Sequence, residues 1–270
     1  MLRLPAVAGS FYPSQPGELM RLVRECAAQP AAAGSPRKKV RACLVPHAGY
    51  VYSGRVAGAV YGCIELPRSV ILLGVRHQPR GERAAILSSG AWRTPLGDAP
   101  IDSGLAAEVR KACPLLREDE AAHREEHSLE VQLPFLQVLV PEFTFVPIAL
   151  GTVRFEELTE IGEGLGQVLA KHPEALLLTT SDLNHYEDEA TTRSKDQKAI
   201  DQLLALDARG LFDVCRREEI SMCGLGPAVA MLTALNSLGP VQAELVRHAT
   251  SADVSGDRDS VVGYAGMHFS

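Results

Sequence analysis

Three short runs constrain this chain more than anything else in it. Residues 40–45 (VRACLV), 69–73 (SVILL) and 175–180 (ALLLTT) are apolar at nearly every position. A strand with one wet face alternates apolar and polar side chains. A run without alternation needs apolar cover on both faces, which a sheet between helix layers supplies. The segments around these runs carry the helical period instead. Leu19, Leu22, Val23 and Cys26 share one helix face, with Pro16 near the start. Further helices are predicted over 54–63, 104–112, 128–140, 156–171, 191–206 and 224–238, and further strands over 83–88, 143–150, 241–248 and 260–269. The stretch 29–36 (QPAAAGSP) reads as a loop. The last two strands follow one another without a helix between them, so part of the sheet is antiparallel. The expected fold class is α/β: a three-layer α/β/α architecture with a mixed central sheet. Composition does not break along the 270 residues and no repeat is present, so 1–270 reads as a single domain.

The function classes excluded follow from charge and cysteine usage. The net charge is −6 and the basic runs are short (Arg37 to Lys39; Arg216, Arg217). A nucleic-acid partner would want a basic face that releases phosphate counterions. The six cysteines are scattered, with no CxxC pair, as expected of reduced thiols. The N-terminal residues lack a signal-peptide pattern and no apolar run is long enough to cross a bilayer, so the chain reads as cytoplasmic with no membrane partner. The signatures of serine-hydrolase elbows, phosphate loops, dinucleotide folds and zincins are all missing.

Chemistry-bearing residues collect just after the apolar runs. His47 follows the first in VPHAGY, His77 the second in LLGVRH, and Asp182 and His185 the third in TTSDLNH. In open α/β sheets functional groups gather beyond the carboxyl ends of strands, so parallel neighbours would deliver all four to one crevice. Two imidazoles and an anionic group suit a non-haem iron site. Asp182 could supply the anion or orient an imidazole, and His185 could remain a general base. Each also has a plainer reading: a histidine after a strand as a hydrogen-bonded surface residue, and Ser181-Asp182 as a turn cap. His127 precedes Ser128, a candidate cap for the helix expected over 128–140, with Val131 and Phe135 facing the core. His127 either points into the crevice or simply precedes the helix. Cys223, in MCGLGP, stands at a helix N-terminus that would favour its thiolate, but by composition alone it reads as a small buried residue beside a glycine turn.

The series RLPAVAGSFYP, VPHAGYVYSGRVAGAVY, ILLGVRH, WRTPLGDAPID, EEHSLEVQLPFLQ, FVPIALG, TTSDLNHY, MCGLGP and VGYAGMHF runs the length of the chain and resembles the Memo family. Bacterial and archaeal relatives are often called AmmeMemoRadiSam system protein B. The resemblance implies a fold like that of the class III extradiol dioxygenases, which hold one Fe(II) and open catechol rings. It implies that His47 and His77 are metal ligands and that Cys223 is the third, where the dioxygenases place a carboxylate. It gives His185 the general acid/base position beside Asp182, and makes His127 a pocket histidine. Arg76 stands where relatives commonly carry serine, a larger cation able to alter access or bind an anionic substrate. A thiolate in place of a carboxylate shifts preference from Fe(II) toward Cu or Zn.

Three readings follow from that likeness. The first is an iron-dependent oxidoreductase acting on a small aromatic compound. The second is a metal- or peptide-binding adaptor on an enzyme fold. The third is a subunit that acts beside radical-SAM and AMMECR-type proteins. A zinc hydrolase would use the same kind of donor set.

Overall fold

The three apolar runs become neighbouring strands of one sheet. The computed structural model describes residues 1–28 and 37–270; the loop expected over 29–36 lies outside the described residues. The chain opens with β1 (Leu2–Arg3) and α1 (Pro16–Ala27), then β2 (Ala42–Val45), α2 (Tyr50–Cys63) and β3 (Ser69–Val75). Three short strands follow, β4 (Ala84–Ile86), β5 (Ala91–Thr94) and β6 (Gly97–Pro100), then α3 (Ser103–Ala112), β7 (Arg117–Glu118) and α4 (Ala121–Arg124). A 3-10 turn at Glu130–Gln132 runs into α5 (Leu133–Leu139), and β8 (Thr144–Leu150), α6 (Phe155–Lys171), β9 (Leu176–Thr180) and β10 (His185–Glu187) come next. The C-terminal third holds α7 (Glu189–Leu204), α8 (Ala208–Arg217), α9 (Leu225–Asn236), β11 (Ala243–Thr250), α10 (Ala252–Ser255) and β12 (Val261–Phe269).

The main sheet has the order β10-β12-β2-β9-β3-β8-β4-β7, with β11 also paired to β12. Its centre, β2-β9-β3-β8, is parallel. Strand β12 runs antiparallel to β2, β10 and β11, and β4 antiparallel to β8, so the sheet is mixed as expected. Both faces are covered. Leu44, Ile71, Leu73 and Leu177 pack with residues of α3, α6, α7, α8 and α9, whereas Cys43, Val45, Leu72 and Leu178 pack with α1, α2 and α5. Each such side chain taken fully out of water contributes about 1.5–3 kcal/mol, on both sides of the same strand. That double burial is why the runs show no alternation. Gly58 lets α1 and α2 approach closely, since a Cβ there would lie 2.4 Å from the Cys26 carbonyl oxygen.

Several elements depart from expectation. Helix α2 starts at Tyr50, four residues early, because Tyr50 is itself buried and donates its hydroxyl to the Val131 carbonyl. The helix expected from residue 128 starts only with the 3-10 turn at Glu130. Ser128 does not cap it: its hydroxyl donates to the Val75 carbonyl instead, at 2.9 Å. Helix α8 was not expected, although Asp207 caps it by accepting from the Gly210 amide. The single turn α10 separates β11 and β12. The small β1-β5-β6 sheet, which holds Arg3 and Trp92, had no sequence signal long enough to read.

Candidate metal centre

Strands β2, β9 and β3 lie side by side, and their register sets Val45 opposite Thr180 and Leu73 opposite Thr179. Their carboxyl ends are therefore level, although about 130 residues of chain separate the first from the last. His47 leaves β2, His77 leaves β3, and Asp182 and His185 leave β9 into one cavity of about 440 Å³. His127 enters from the segment between α4 and the 3-10 turn, and Cys223 from the residue before the Gly224 cap of α9. A Cβ at Gly224 would lie 2.3 Å from that of Ser181, so glycine is what lets Cys223 reach the β9 end. Phe11, Tyr186, Val262 and Tyr264 complete the wall. All six expected site residues thus meet in one place.

Within the cavity three imidazoles form the tightest group. The ring nitrogens that His47, His77 and His127 can offer lie within 4.8 Å of one another. The His77 and His127 rings stack at 4.5 Å and 16°, and His47 stands edge-on to both. Two of the three ligands that the family likeness implied, His47 and His77, belong to this trio, and the third member is His127. Cys223 contacts the trio through His47, with Sγ 3.1 Å from Nε2. Its thiol also receives the Asp182 amide at 3.3 Å. Burial, and then the Asp182 carboxylate, push the Cys223 thiol well above its ordinary range.

The surroundings set which nitrogen two of the rings use as a donor. His77 Nδ1 lies 2.9 Å from Glu126 Oε1, and His185 Nδ1 3.0 Å from the Ser221 carbonyl. Carboxylate and carbonyl oxygens only accept, so both rings donate from Nδ1, and the neutral form of such a ring has Nε2 as its lone-pair donor. His47 Nδ1 lies 2.8 Å from Thr180 Oγ1, a hydroxyl that also accepts from Gln132 Nε2. Metal-binding histidines are commonly held in this way through their second nitrogen. The donor chemistry therefore fits a borderline metal: His47, His77 and His127 would hold it, with Glu126 and Thr180 orienting two of the rings.

Glu126 anchors the arrangement and was missed in the sequence reading. It is fully buried, takes the His77 amide at 2.6 Å and the Ser128 amide at 2.8 Å, and stands 3.8 Å from His127 Nδ1. Burial pushes its carboxyl up, but the His77 hydrogen bond and charge and the Ser128 amide outweigh it and hold it at about 2. Gln132 ties the same motif to the β2 end by donating to the Pro46 carbonyl. Asp182 is a different case. Burial raises it to about 7 against the opposing pull of the His47 and Ala48 amides. Its Oδ1 accepts the His47 amide at 2.8 Å, so it pins the turn that presents His47. The expected role as an orienting carboxylate therefore acts on backbone. Arg76 lines an adjoining cavity and not the wall shared by the histidines.

A buried, neutral histidine set makes the fold acid-sensitive. Burial lowers His123 and His127 to about 4, and lowers His47, His185 and His268 below the ordinary value of 6.5. Between those values the unfolded chain binds more protons than the folded one, so stability falls as pH drops from about 6.5 to about 4. At about 1.4 kcal/mol per unit, His123 and His127 each amount to about 3 kcal/mol. Asp182 and the surface His172, both raised, work in the opposite direction and favour the fold as pH falls, but they are two groups against five. Metal-free protein is expected to lose its far-ultraviolet circular dichroism with a midpoint at about pH 4–5. A midpoint below about pH 3 would show that these histidines are not held neutral.

A family profile described as Memo-like protein matches residues 3–268. The chain belongs to the Memo family. It is 39% identical over 280 residues to a MEMO1 family protein of Methanopyrus kandleri, covering 100% of this chain and 99% of that one. A MEMO1 family protein of Aquifex aeolicus is 40% identical over 270 residues, with 99% of each chain covered. Among solved structures, that of an uncharacterized protein of Escherichia coli K12 superposes with a TM-score of 0.54 at 12% identity, over 85% of this chain and 99% of that one. That likeness concerns the fold alone. In this Memo chain the histidine trio, Cys223, Asp182 and His185 thus line one cavity at the carboxyl ends of three parallel strands.

Proposed function

We propose that this Memo protein is a mononuclear metal-dependent oxidoreductase acting on a small aromatic molecule, with iron(II) held by His47, His77 and His127. The observation that carries the reading is the trio itself: ring nitrogens within 4.8 Å, with the His77 ring turned by a buried carboxylate so that, when neutral, it has Nε2 as its lone-pair donor. A bound iron would supply Lewis acidity and one-electron chemistry. The protein's own residues do the rest. His185, its Nδ1 proton committed to the Ser221 carbonyl, offers Nε2 as a proton acceptor at the cavity. Asp182, at about 7, holds the His47 turn. Phe11 and Tyr264 give the cavity walls suited to an aromatic ring. Cys223, touching His47 Nε2, is the oxidisable group of the site and the donor that would soften it toward copper.

The same reading includes a cytoplasmic setting and action beside radical-SAM and AMMECR-type proteins, which co-purification from the native host would test. No helix among the described residues is long and apolar enough to cross a membrane.

The test is metal content and oxygen uptake. Protein prepared without oxygen is expected to carry iron at close to stoichiometric occupancy, to lose it in His47→Ala and to keep it in Cys223→Ser. With an aromatic panel, the iron form is expected to consume O₂ and His185→Ala to do so far more slowly. If no metal binds after anaerobic reconstitution with Fe(II), Cu(I) or Zn(II), the reading fails. One observation supports a second reading: three imidazoles without a carboxylate in the trio are also a zinc donor set, as in zinc hydrolases that activate water. Zinc at full occupancy with no oxygen uptake would favour it.

A further inference from the structure

Cys223 also lines a second cavity, of about 250 Å³. At about 30 Å³ per water, that is the room of roughly eight waters, enough for a small organic molecule. Its walls include Leu158, Phe212 and Met222, and two arginines, Arg76 and Arg216, also line it. We propose that this cavity binds a small organic oxyanion, a carboxylate or a phosphate monoester on an apolar body, with Arg76 and Arg216 as its charged contacts.

Arg76 is held in the cavity wall, and the exposed Arg216 lines the cavity from α8. Arg76 Nη1 donates to the carbonyls of Arg80 and Gly81, at 3.0 and 3.3 Å, which fixes the side chain along the cavity wall. Among the described residues its Nε is buried with no acceptor. Gly151 makes room for it, because a Cβ there would lie 2.7 Å from Nε and 3.3 Å from Nη2. The Arg216 guanidinium lies over the Phe212 ring, 5.2 Å from its centroid, and that ring is part of the cavity wall. Among the described residues neither guanidinium pairs with a carboxylate, in a chain whose net charge is −6. Neither a buried nor an exposed carboxylate competes for these two guanidinium groups among the described residues, and the planar guanidinium matches carboxylate and phosphate oxygens in pairs. Helix α9 begins at Leu225 on the same wall and adds the positive end of its dipole. The site stands whether or not a metal occupies the histidine cavity.

Calorimetric titration of the full, metal-free chain with hexanoate, hexyl phosphate and hexanol tests this directly. At least one anion is expected to bind about tenfold or more tightly than hexanol, and the ratio of the two anions identifies the oxyanion. Arg76→Gln and Arg216→Gln are each expected to weaken that anion by about tenfold while leaving hexanol unchanged. Arg216 is exposed on α8, so its variant tests the site even if the Arg76 variant does not fold. Equal binding of hexanol and both anions, or anion affinity untouched by Arg216→Gln, overturns the proposal. So does anion binding that is lost in His47→Ala, which would seat the anion among the histidines. Failure of the metal reading alone would leave these results unchanged.

Discussion

Glu126→Gln is expected to weaken metal binding by roughly 10–100-fold while the protein stays folded. The carboxylate serves three donors at once: His77 Nδ1 at 2.9 Å, the His77 amide at 2.6 Å and the Ser128 amide at 2.8 Å. A glutamine of the same shape keeps one accepting oxygen and turns an NH₂ group toward a donor. At least one buried donor then loses its acceptor, at a cost of about 1–3 kcal/mol. His77 loses both the anion that makes its Nε2 a strong donor and the contact that holds its proton on Nδ1. The neighbouring Glu125→Gln is the control, because Glu125 is exposed and its carboxylate meets the Arg80 side chain. Chelator competition gives the affinities, and circular dichroism checks the fold. Equal affinity in Glu126→Gln and the native protein would mean that Glu126 supports the turn and not the metal.

The second large effect lies away from the cavity. Arg3→Met is expected to destabilise the protein by about 3–5 kcal/mol, because it leaves the Glu130 carboxylate buried without its cation. Arg3 and Glu130 are 1% and 0% exposed and meet at 2.6 Å. Glu130 also takes the Tyr12 hydroxyl and the Ala6 and Val7 amides, so it clamps the N-terminal segment onto the motif that carries His127. Arg3 lies 4.1 Å over the Trp92 ring and donates to the carbonyls of His123 and Glu126. Its loss therefore loosens the backbone on either side of the site. Urea midpoints of Arg3→Met, Glu130→Gln and the double variant form a cycle. The double variant should cost less than the two singles together, since a charge no longer stands alone. A shift under about 1 kcal/mol in Arg3→Met would show the pair to be dispensable.

Much of the fold could be read from local pattern. The double-faced burial of β2, β3 and β9 shows directly as runs without alternation, and α1, α3 and α6 show as periodic apolar faces closed by turns. The helix starts that were misplaced are those whose position rests on remote contacts. Helix α2 is buried on most sides, so its period is faint and its start is set by Tyr50 reaching Val131. The turn ahead of α5 is set by Ser128 bonding to Val75, a contact across 53 residues.

The candidate site divides along the same line. The family motifs gave the set His47, His77, His127, Asp182, His185 and Cys223, and their placement after apolar runs gave a reason for four of them to act together. Glu126, Glu130 and Gln132 were quoted within a motif but not singled out. A carboxylate in a polar stretch looks solvated until the fold shows three buried donors converging on it.

The sequence by itself determined that this chain folds as helix layers around a buried sheet, and that its histidines follow strand ends. Those properties are local: the period of two or 3.6 residues, and the chemistry of the residue after the last apolar position. Only the tertiary structure decided that β2, β9 and β3 are neighbours and that His127 is the third imidazole of the group. It also decided that Cys223 is a partly buried thiol against His47, and that Arg76 lines a second cavity. Strand order and buried-charge pairing are properties of the whole packed chain. They depend on which faces can be covered at once and on which distant donors satisfy a carboxylate removed from water.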